Sequence, residues 1–272
     1  MTTVAIASRR QGLAEARVAS IFAGAASILL LIGAWEAIGR LPDSALSAVM
    51  PPPSRFLSAV ADSGFRVGLG AQAVSVYQAV LSTLFRVFSG MAVAYVLAIL
   101  TGALISLSRL AEWTLSPILN LLAPIAPIAW VPVAIVLFGI GNLTAIFVVF
   151  MGVYFSLTIA TLAEIRRIPE QFRTVARNLG ATRLQEWRHV MFPAVLPGVF
   201  TLLRINFIAA WMSVLVAEMV GLRDGIGAII MMGRNLFNAE LIMFGMLVIG
   251  ICGFVIDRLL GQIQRRLLWW SA

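Results

Sequence analysis

Long apolar runs separated by short polar segments dominate this sequence of 272 residues. The runs are close to the ~20 residues that an α-helix needs to cross the hydrocarbon core of a bilayer. Only 12% of the residues are charged, against about 25% in soluble domains. The sequence therefore predicts an all-α integral membrane protein with about six transmembrane helices. We place the spans near residues 20–39, 87–106, 115–137, 143–163, 195–219 and 240–260.

The arginines indicate how the spans are oriented. All 20 basic residues are arginine, and 13 of them fall on one side of the membrane if the N-terminus is cytoplasmic. Positively charged loops stay in the cytoplasm, so both termini are predicted there. The chain then divides into a cytoplasmic N-terminal segment, 1–19, and a transmembrane domain, 20–272. Within that domain we expect an outer loop at 40–71, with a short amphipathic helix near 54–62, and a cytoplasmic loop at 164–194.

Missing residue types exclude several classes of function. Without lysine the chain has no Walker A motif and no Schiff-base lysine, so any ATP must bind to another chain. The single cysteine, Cys252, and the single histidine, His189, exclude a disulfide framework and a Cys/His metal site. We therefore predict no catalytic residue, metal site or cofactor in this chain. The net charge of +8 is explained by membrane topology, and no nucleic-acid partner is expected.

The third span carries four prolines in what should be one helix. Each proline removes an intrahelical hydrogen bond and frees a carbonyl group, which a bilayer tolerates only against protein or a wet cavity. We expect a kinked helix that lines the interior of the protein; packing on neighbouring helices without contact to a solute is the alternative. The prolines are Pro117, Pro124, Pro127 and Pro132.

Two further segments differ from simple spans. The stretch 72–106 is compatible with a helix for longer than a span requires, so its first part is expected to lie along the membrane surface. The segment 221–241 is too short and too rich in glycine for another span, and a short helix on the outer side is expected.

An arginine-rich segment, "RTVARNLGATRLQEWRHVMFP" at 173–193, separates the fourth and fifth spans. Gly180 is typical of a helix C-terminus, and Thr182 with Gln185 has the spacing of a capping box that opens a second helix. A helical hairpin is therefore predicted. A plain loop whose arginines contact anionic lipid headgroups is the alternative. The hairpin's apolar stripe, which requires a partner surface, comprises Phe172, Val175, Ala176, Leu179, Leu184, Trp187, Val190 and Met191.

This hairpin resembles the EAA loop in the membrane subunits of binding-protein-dependent ABC importers. In that motif Glu-Ala-Ala is followed after three residues by Gly, and after nine more by Ile, any residue, Leu and Pro. Here residues 174–176 occupy the first three positions, and Gly180 and Pro193 follow at the same spacing. Thr174 replaces the leading Glu, and Phe192 replaces the Leu before the proline.

The resemblance extends well beyond the hairpin. The strings "PPPSRFLSAV", "PIAPIAWVPVAIVLFGIGN", "LPGVFTLLRINFIAAWMSVLVAEMVG" and "RRLLWW" are similar to the nitrate/sulfonate/taurine/bicarbonate branch of these importers. The resemblance implies a type I importer-like permease domain in a bacterial cytoplasmic (inner) membrane, carrying a small oxyanion. It also implies several partners: a second copy of the chain or a similar permease, two cytoplasmic ABC ATPases that bind ATP and Mg, a periplasmic or lipid-anchored binding protein, and membrane lipid.

Two sets of residues are predicted to carry the function. By resemblance, the coupling loop docks on the ATPase through Phe172, Arg173, Val175, Ala176, Arg177, Leu179, Gly180, Ala181 and Thr182. For the translocation pathway, ionisable groups within spans are candidates because burying them is costly. Arg204 suits an anion, whereas Glu218 fits a gate or a structural partner. Glu36 and Arg86 are expected to be structural and to pair with each other. The candidate pathway set is Pro127, Trp130, Arg204, Asn206, Trp211 and Glu218.

Two other classes of function remain open. A self-contained secondary transporter or channel would show internal repeats or a dense intramembrane charge relay, and neither is evident. An intramembrane enzyme would need paired catalytic groups or metal ligands within the spans, but Glu36 and Glu218 are isolated acids in different spans.

Overall fold

The computed structural model describes residues 22–41, 50–62, 66–67, 74–222 and 224–267, so the predicted N-terminal segment 1–19 lies outside the described residues. The described chain is almost entirely helical, which confirms the predicted all-α membrane fold. The helices are α1 Phe22–Gly39, α2 Pro53–Asp62, α3 Val76–Leu107, α4 Arg109–Leu122, α5 Pro127–Phe138, α6 Asn142–Arg167, α7 Glu170–Asn178, α8 Arg183–Glu186, α9 Phe192–Gly221, α10 Ile226–Asn235 and α11 Ala239–Leu267.

The segment between α2 and α3 contains the only strands in the described part of the chain. Strand β1, Arg66–Val67, pairs antiparallel with β2, Val74–Ser75, with Arg66 opposite Ser75. Before them, the predicted amphipathic helix is present as α2. Its N-terminus is held by Glu36, whose carboxylate accepts hydrogen bonds from the Ser54 amide at 3.1 Å and the Ser54 hydroxyl at 2.5 Å.

Five helices, α1, α3, α6, α9 and α11, are long and apolar enough to cross a membrane, and the number is six if the bent pair α4 and α5 counts as one broken span. Helix α3 is one unbroken helix of 32 residues, about 48 Å long at 1.5 Å per residue. The predicted surface segment at its start is therefore wrong. The sequence from Val76 to Arg86 contains neither proline nor glycine, so nothing ends the helix before the span begins.

The third span is not one kinked helix but two helices, α4 and α5, bent by 102° at the break between Leu122 and Pro127. Proline explains the break. Pro127 has no N–H to donate to the carbonyl of Ala123, and it disfavours helical geometry in the preceding residue. Accordingly, Ala126 is extended, with φ −61° and ψ 142°.

Helix α6 lies at the centre of the bundle and packs against α3, α5 and α9. Small residues allow this close packing, which is how membrane helices associate without a hydrophobic driving force. A side chain at Gly90 of α3 would collide with Val149 of α6, and one at Gly102 would press on Thr161. A cluster of fully buried apolar side chains, including Val87, Ala98, Val148 and Val214, fills the space between these helices.

A second apolar cluster lies on the outer side, where α2 and the predicted short helix α10 pack on the start of α11. Phe56 of α2, Ile229 of α10 and Phe244 of α11 are buried together there. Helices α10 and α11 run antiparallel, because Gly233 lies against Ile242 and Gly245 lies against Ile230. The described residues of this side therefore form a packed layer.

Candidate functional site

The predicted hairpin between the fourth and fifth spans is present, and its turn is built around Gly180. Gly180 adopts φ +80°, a left-handed conformation that costs other residues free energy. Its N–H donates to the carbonyl of Arg177 at 2.9 Å, and the N–H of Ala181 donates to the carbonyl of Ala176 at 3.0 Å. This pair of hydrogen bonds is the Schellman motif, which satisfies the last carbonyl groups of α7.

The second half of the hairpin begins with the predicted capping box. The amide of Thr182 donates to the side-chain oxygen of Gln185 at 2.9 Å, and the amide of Gln185 approaches the Thr182 hydroxyl at 3.4 Å. Helix α8 then passes into a π-helical turn, Trp187–Met191, that continues directly into α9. The hairpin is thus joined rigidly to the fifth span, because no loop separates them.

The apolar stripe of the hairpin divides into a buried part and an exposed part. Ala176 and Met191 are buried within the protein. In contrast, Leu179 is 82% exposed and Leu184 is 78% exposed. The exposed hairpin face comprises Phe172, Val175, Leu179 and Leu184. The side chains of Arg173, Arg183 and Trp187 lie outside the described residues.

An ion pair holds the two halves of the hairpin together. Nε of Arg177 lies 3.1 Å from a carboxylate oxygen of Glu186, whose side chain is buried. Of the predicted docking residues, Arg177 is therefore partly engaged inside the hairpin. Thr174, at the position of the motif's Glu, donates its hydroxyl to the carbonyl of Glu170 at 3.1 Å.

The break between α4 and α5 exposes irregular backbone at mid-height of the bundle. The height of this break along the bundle follows from Pro127 of α5, which lies close to Gly152, near the middle of α6. Pro124 and Pro127 cannot donate, so the carbonyl groups of Asn120 and Ala123 lose their helical partners. Residues 124–126 are exposed, and so is the Asn120 side chain, which forms no hydrogen bond within the described part of the chain. Lipid cannot satisfy such groups.

Three of the six candidate pathway residues lie around this level. Pro127 lies near Ser213 of α9 as well as near Gly152. Trp130 stacks on Phe155 of α6, with ring centroids 6.4 Å apart. Asn206 accepts a hydrogen bond from Ser156 of α6 at 3.4 Å.

The other three candidates, Arg204, Trp211 and Glu218, are spaced at seven residues along one face of α9. Trp211 and Glu218 are buried, whereas the side chain of Arg204 is 45% exposed. Trp211 is buried against Gly253 of α11. Arg204 forms a bidentate pair with Asp257 of α11, with Nε to Oδ1 at 2.7 Å and Nη2 to Oδ2 at 2.7 Å. Asp257 was not among the predicted site residues, although an acid within a span is a signal for a partner of Arg204.

Because Asp257 neutralises Arg204, we expect Arg204→Gln and Asp257→Asn to destabilise the protein to a similar extent. The coupling between the two substitutions should be favourable, because the two side chains form one bidentate pair between α9 and α11. A double-mutant cycle by thermal unfolding in detergent measures it. A loss of anion uptake in Arg204→Gln without any loss in Asp257→Asn would instead indicate direct contact between Arg204 and the solute.

The most deeply buried charged cluster joins α3, α9 and the start of α10. The side chains of Arg86 and Glu218 are 1% and 0% exposed, and their Nη1 and Oε1 atoms lie 2.8 Å apart. Arg86 also donates to a carboxylate oxygen of Asp224 at 2.6 Å and to Oδ1 of Asn142 at 2.8 Å. The predicted pairing of Arg86 with Glu36 is therefore wrong, and Glu36 instead pairs with Arg40 at 2.7 Å.

Glu218 is fully hydrogen-bonded in this cluster. The amide of Gly227 donates to one carboxylate oxygen at 2.9 Å, and the hydroxyl of Thr83 lies 2.8 Å from the other. A side chain at Gly225 would collide with the carboxylate, and Gly225 has φ +113°. The cluster fixes the first turn of α10 to the core of the bundle. The side chain of Glu218 is completely buried in it.

Comparison with known proteins identifies a protein family and several relatives. A family model described as "Binding-protein-dependent transport system inner membrane component" matches residues 94–268. A putative ABC transporter permease protein of Methanocaldococcus jannaschii is 34% identical over 186 residues, covering 68% of this chain and 70% of the relative. The bicarbonate transport system permease protein CmpB of Synechococcus elongatus is 34% identical over 190 residues, covering 69% and 68%.

More distant relatives extend the match along the chain. The taurine transport system permease protein TauC of Escherichia coli is 25% identical over 245 residues, covering 90% of this chain and 88% of the relative. Among solved structures, an inward-facing conformation of the MetNI methionine ABC transporter has a chain that superposes with a TM-score of 0.62 at 24% identity, covering 70% of this chain and 95% of that chain. This likeness establishes a shared fold.

Proposed function

Because the chain belongs to the family of binding-protein-dependent transport system inner membrane components, and is a membrane-spanning permease subunit of an ABC importer, we propose that it forms the translocation pathway for a small oxyanion. The names of its relatives support this solute class. CmpB is a bicarbonate permease, NrtB of Synechocystis is a nitrate import permease and TauC is a taurine permease. Bicarbonate and nitrate are small oxyanions, and taurine carries an anionic sulfonate group.

A permease of this family works within a transporter complex. We propose that two copies of the chain, or one copy and a similar permease, form its membrane part, with both termini of each copy in the cytoplasm. Two ATPases would bind ATP and Mg beneath them, and a periplasmic or lipid-anchored binding protein would deliver the solute. The exposed hairpin face supports an ATPase partner, because four large apolar side chains on a membrane-distal hairpin require a covering surface.

The proposed pathway runs past the break between α4 and α5. Unpaired carbonyl groups at mid-height cannot face lipid, so they face either a second permease copy or a wet passage between copies. Asn120, Pro127, Trp130 and Asn206 lie at or near this level. Arg204, Trp211 and Glu218 are engaged within the subunit, so they position helices around the passage in this conformation.

ATP would drive such a cycle through the hairpin. Because the π-helical turn joins the hairpin to α9 without a loop, a displacement of the hairpin moves the fifth span directly. ATP can shift the permease between conformations only to the extent that the ATPase binds the hairpins differently in the two states. A rigid hairpin transmits this difference in binding free energy to the fifth span.

The exposed hairpin face supplies the test of this proposal. Leu179→Asp should abolish co-purification of the ATPase from native membranes, because a charge at the centre of an apolar contact is desolvated without a partner. The thermal stability of the permease alone should not change, because Leu179 is 82% exposed. Asn178→Asp is the matched control, since it adds the same charge at the neighbouring exposed position. Quantitative mass spectrometry of the tagged protein measures both.

The same purification addresses the second candidate function. If the wild-type chain arrives without an ATPase and still moves solute in vesicles without ATP, the permease acts as a self-contained secondary transporter. The proposal then fails.

A further inference from the structure

An apolar groove of about 210 Å³ lies between α3, α6 and α9. Tyr95 and Ala103 of α3 line one side, Ile165 of α6 lies at one end, and Phe192 and Val195 of α9 line the other side. The groove is smaller than the roughly 300–1,000 Å³ of most small-molecule sites. Its length is about 12 Å, from the eight residues that separate Tyr95 from Ala103.

The lining of the groove excludes a polar solute. Apart from Tyr95 and Thr161, all its lining side chains are hydrocarbon. The hydroxyl of Tyr95 is already used, since it donates to the carbonyl of Val199 at 2.8 Å. The Thr161 hydroxyl is buried and has no hydrogen-bond partner among the described residues, so an oxyanion in this groove would exchange its hydration for at most one neutral donor, which is costly. A long, narrow, apolar space of this kind fits a hydrocarbon chain.

One end of the groove lies toward the end of the bundle that carries the hairpin. Ile165 is two residues before the end of α6, and Phe192 is the first residue of α9, directly after the π-helical turn. Arg188 lies four residues before Phe192, so the two share one side of the helical path. The Arg188 side chain is exposed and forms no ion pair or hydrogen bond within the described residues. An arginine without a partner among the described residues thus lies one helical turn before Phe192, at this end of the apolar groove.

We propose that this groove binds one acyl chain of an anionic phospholipid from the leaflet on the hairpin side, with the headgroup on Arg188. The acyl chain packs against apolar side chains such as Ala103 and Phe192, and the phosphate group pairs with the guanidinium group of Arg188. A lipid bound there touches the first turns of α9, where the hairpin joins the fifth span. The bound lipid therefore stabilises the hairpin in one position.

The test uses two phospholipid probes that carry the same photoactivatable diazirine in mid-chain, one phosphatidylglycerol and one phosphatidylcholine. The purified transporter complex is placed in phosphatidylcholine nanodiscs with a small fraction of either probe and irradiated, and labelled peptides are mapped by mass spectrometry. We expect labelling of the groove residues. The anionic probe should label about fivefold more strongly, because one arginine near the surface attracts an anionic lipid by about 1 kcal/mol.

Three variants separate this site from general lipid contact. Ala103→Phe fills the groove and should lower labelling about tenfold, the loss expected when two methylene groups are displaced. Ala92→Phe is the matched control, because Ala92 is an exposed residue of the same helix that does not line the groove. Arg188→Gln should abolish the preference for the anionic probe. If Ala103→Phe impairs assembly, Val195→Phe fills the same groove from α9.

Three results would overturn the proposal. The first is no groove labelling in the wild-type complex, as when a second permease copy covers the groove. The second is equal labelling in Ala103→Phe, or in Val195→Phe where that variant is used, and in Ala92→Phe. The third is equal labelling by the two probes. None of these results bears on whether the chain transports an oxyanion.

Discussion

Arg86→Met should destabilise the protein by about 3–5 kcal/mol, the usual cost of breaking a buried ion pair by removing one partner. Arg86 and Glu218 are almost completely buried, so the variant leaves an uncompensated carboxylate inside the bundle. The helices joined by this cluster, α3, α9 and α10, should separate first. A lower midpoint of thermal unfolding in detergent and faster proteolysis near α10 are the measurements.

Two control variants test whether this loss of stability comes from the buried charge. Asp224→Asn should cost about 1 kcal/mol or less, because the Asp224 side chain is 46% exposed and Arg86 keeps Glu218. Adding Glu218→Gln to Arg86→Met should recover most of the stability, since both buried charges are then absent. If the double variant is as unstable as Arg86→Met plus Glu218→Gln added together, the pair is not coupled and the cluster is not an anchor.

The membrane fold could be predicted from the sequence because its determinants are local. Apolar runs define the spans, and Gly180 with the Thr182 and Gln185 capping box defines the hairpin before any tertiary contact is known. The break in the third span was only half predictable. Four prolines indicated a kink, but the bend of 102° depends on how α4 and α5 pack on α6.

The partners of the buried charges could not be predicted. Arg86 was expected to pair with Glu36, yet its partners Glu218 and Asp224 are 132 and 138 residues away. Sequence spacing carries no information about such contacts. The composition does give one signal, because an arginine within an apolar run requires a carboxylate somewhere in the fold. The same reasoning applied to Arg204 leads to Asp257.

The two ends of the molecule are built differently, and this difference bears on function. On the outer side, a buried ion cluster fixes α10 to the core. On the hairpin side, the turn depends on one left-handed glycine, and its apolar face has no partner within the described part of the chain. Disrupting the outer cluster should therefore affect folding, whereas disrupting the hairpin turn should affect assembly with the proposed ATPase.

Gly180→Val should lower the affinity for the ATPase about fivefold to thirtyfold while the permease remains folded. A left-handed conformation costs a non-glycine residue roughly 1–2 kcal/mol, and every 1.4 kcal/mol is about a factor of ten in an equilibrium constant. Valine at φ +80° would distort the turn that holds Leu179 and Leu184 in one face. Co-purification of the ATPase and ATP-driven uptake in vesicles should both fall.

Gly139→Val is the matched control for this prediction. Gly139 also has a left-handed φ, +72°, and a side chain there, as at Gly180, would meet nothing within 4 Å. Gly139→Val carries at least as much backbone strain as Gly180→Val, because Gly139 has φ +72° and ψ −171°, a conformation that essentially only glycine adopts. Gly139 lies in the turn between α5 and α6, at the opposite end of α6 from the hairpin. Equal losses of ATPase in the two variants would mean that strain alone weakens the complex, whereas a loss confined to Gly180→Val makes the shape of the hairpin the property that the ATPase recognises.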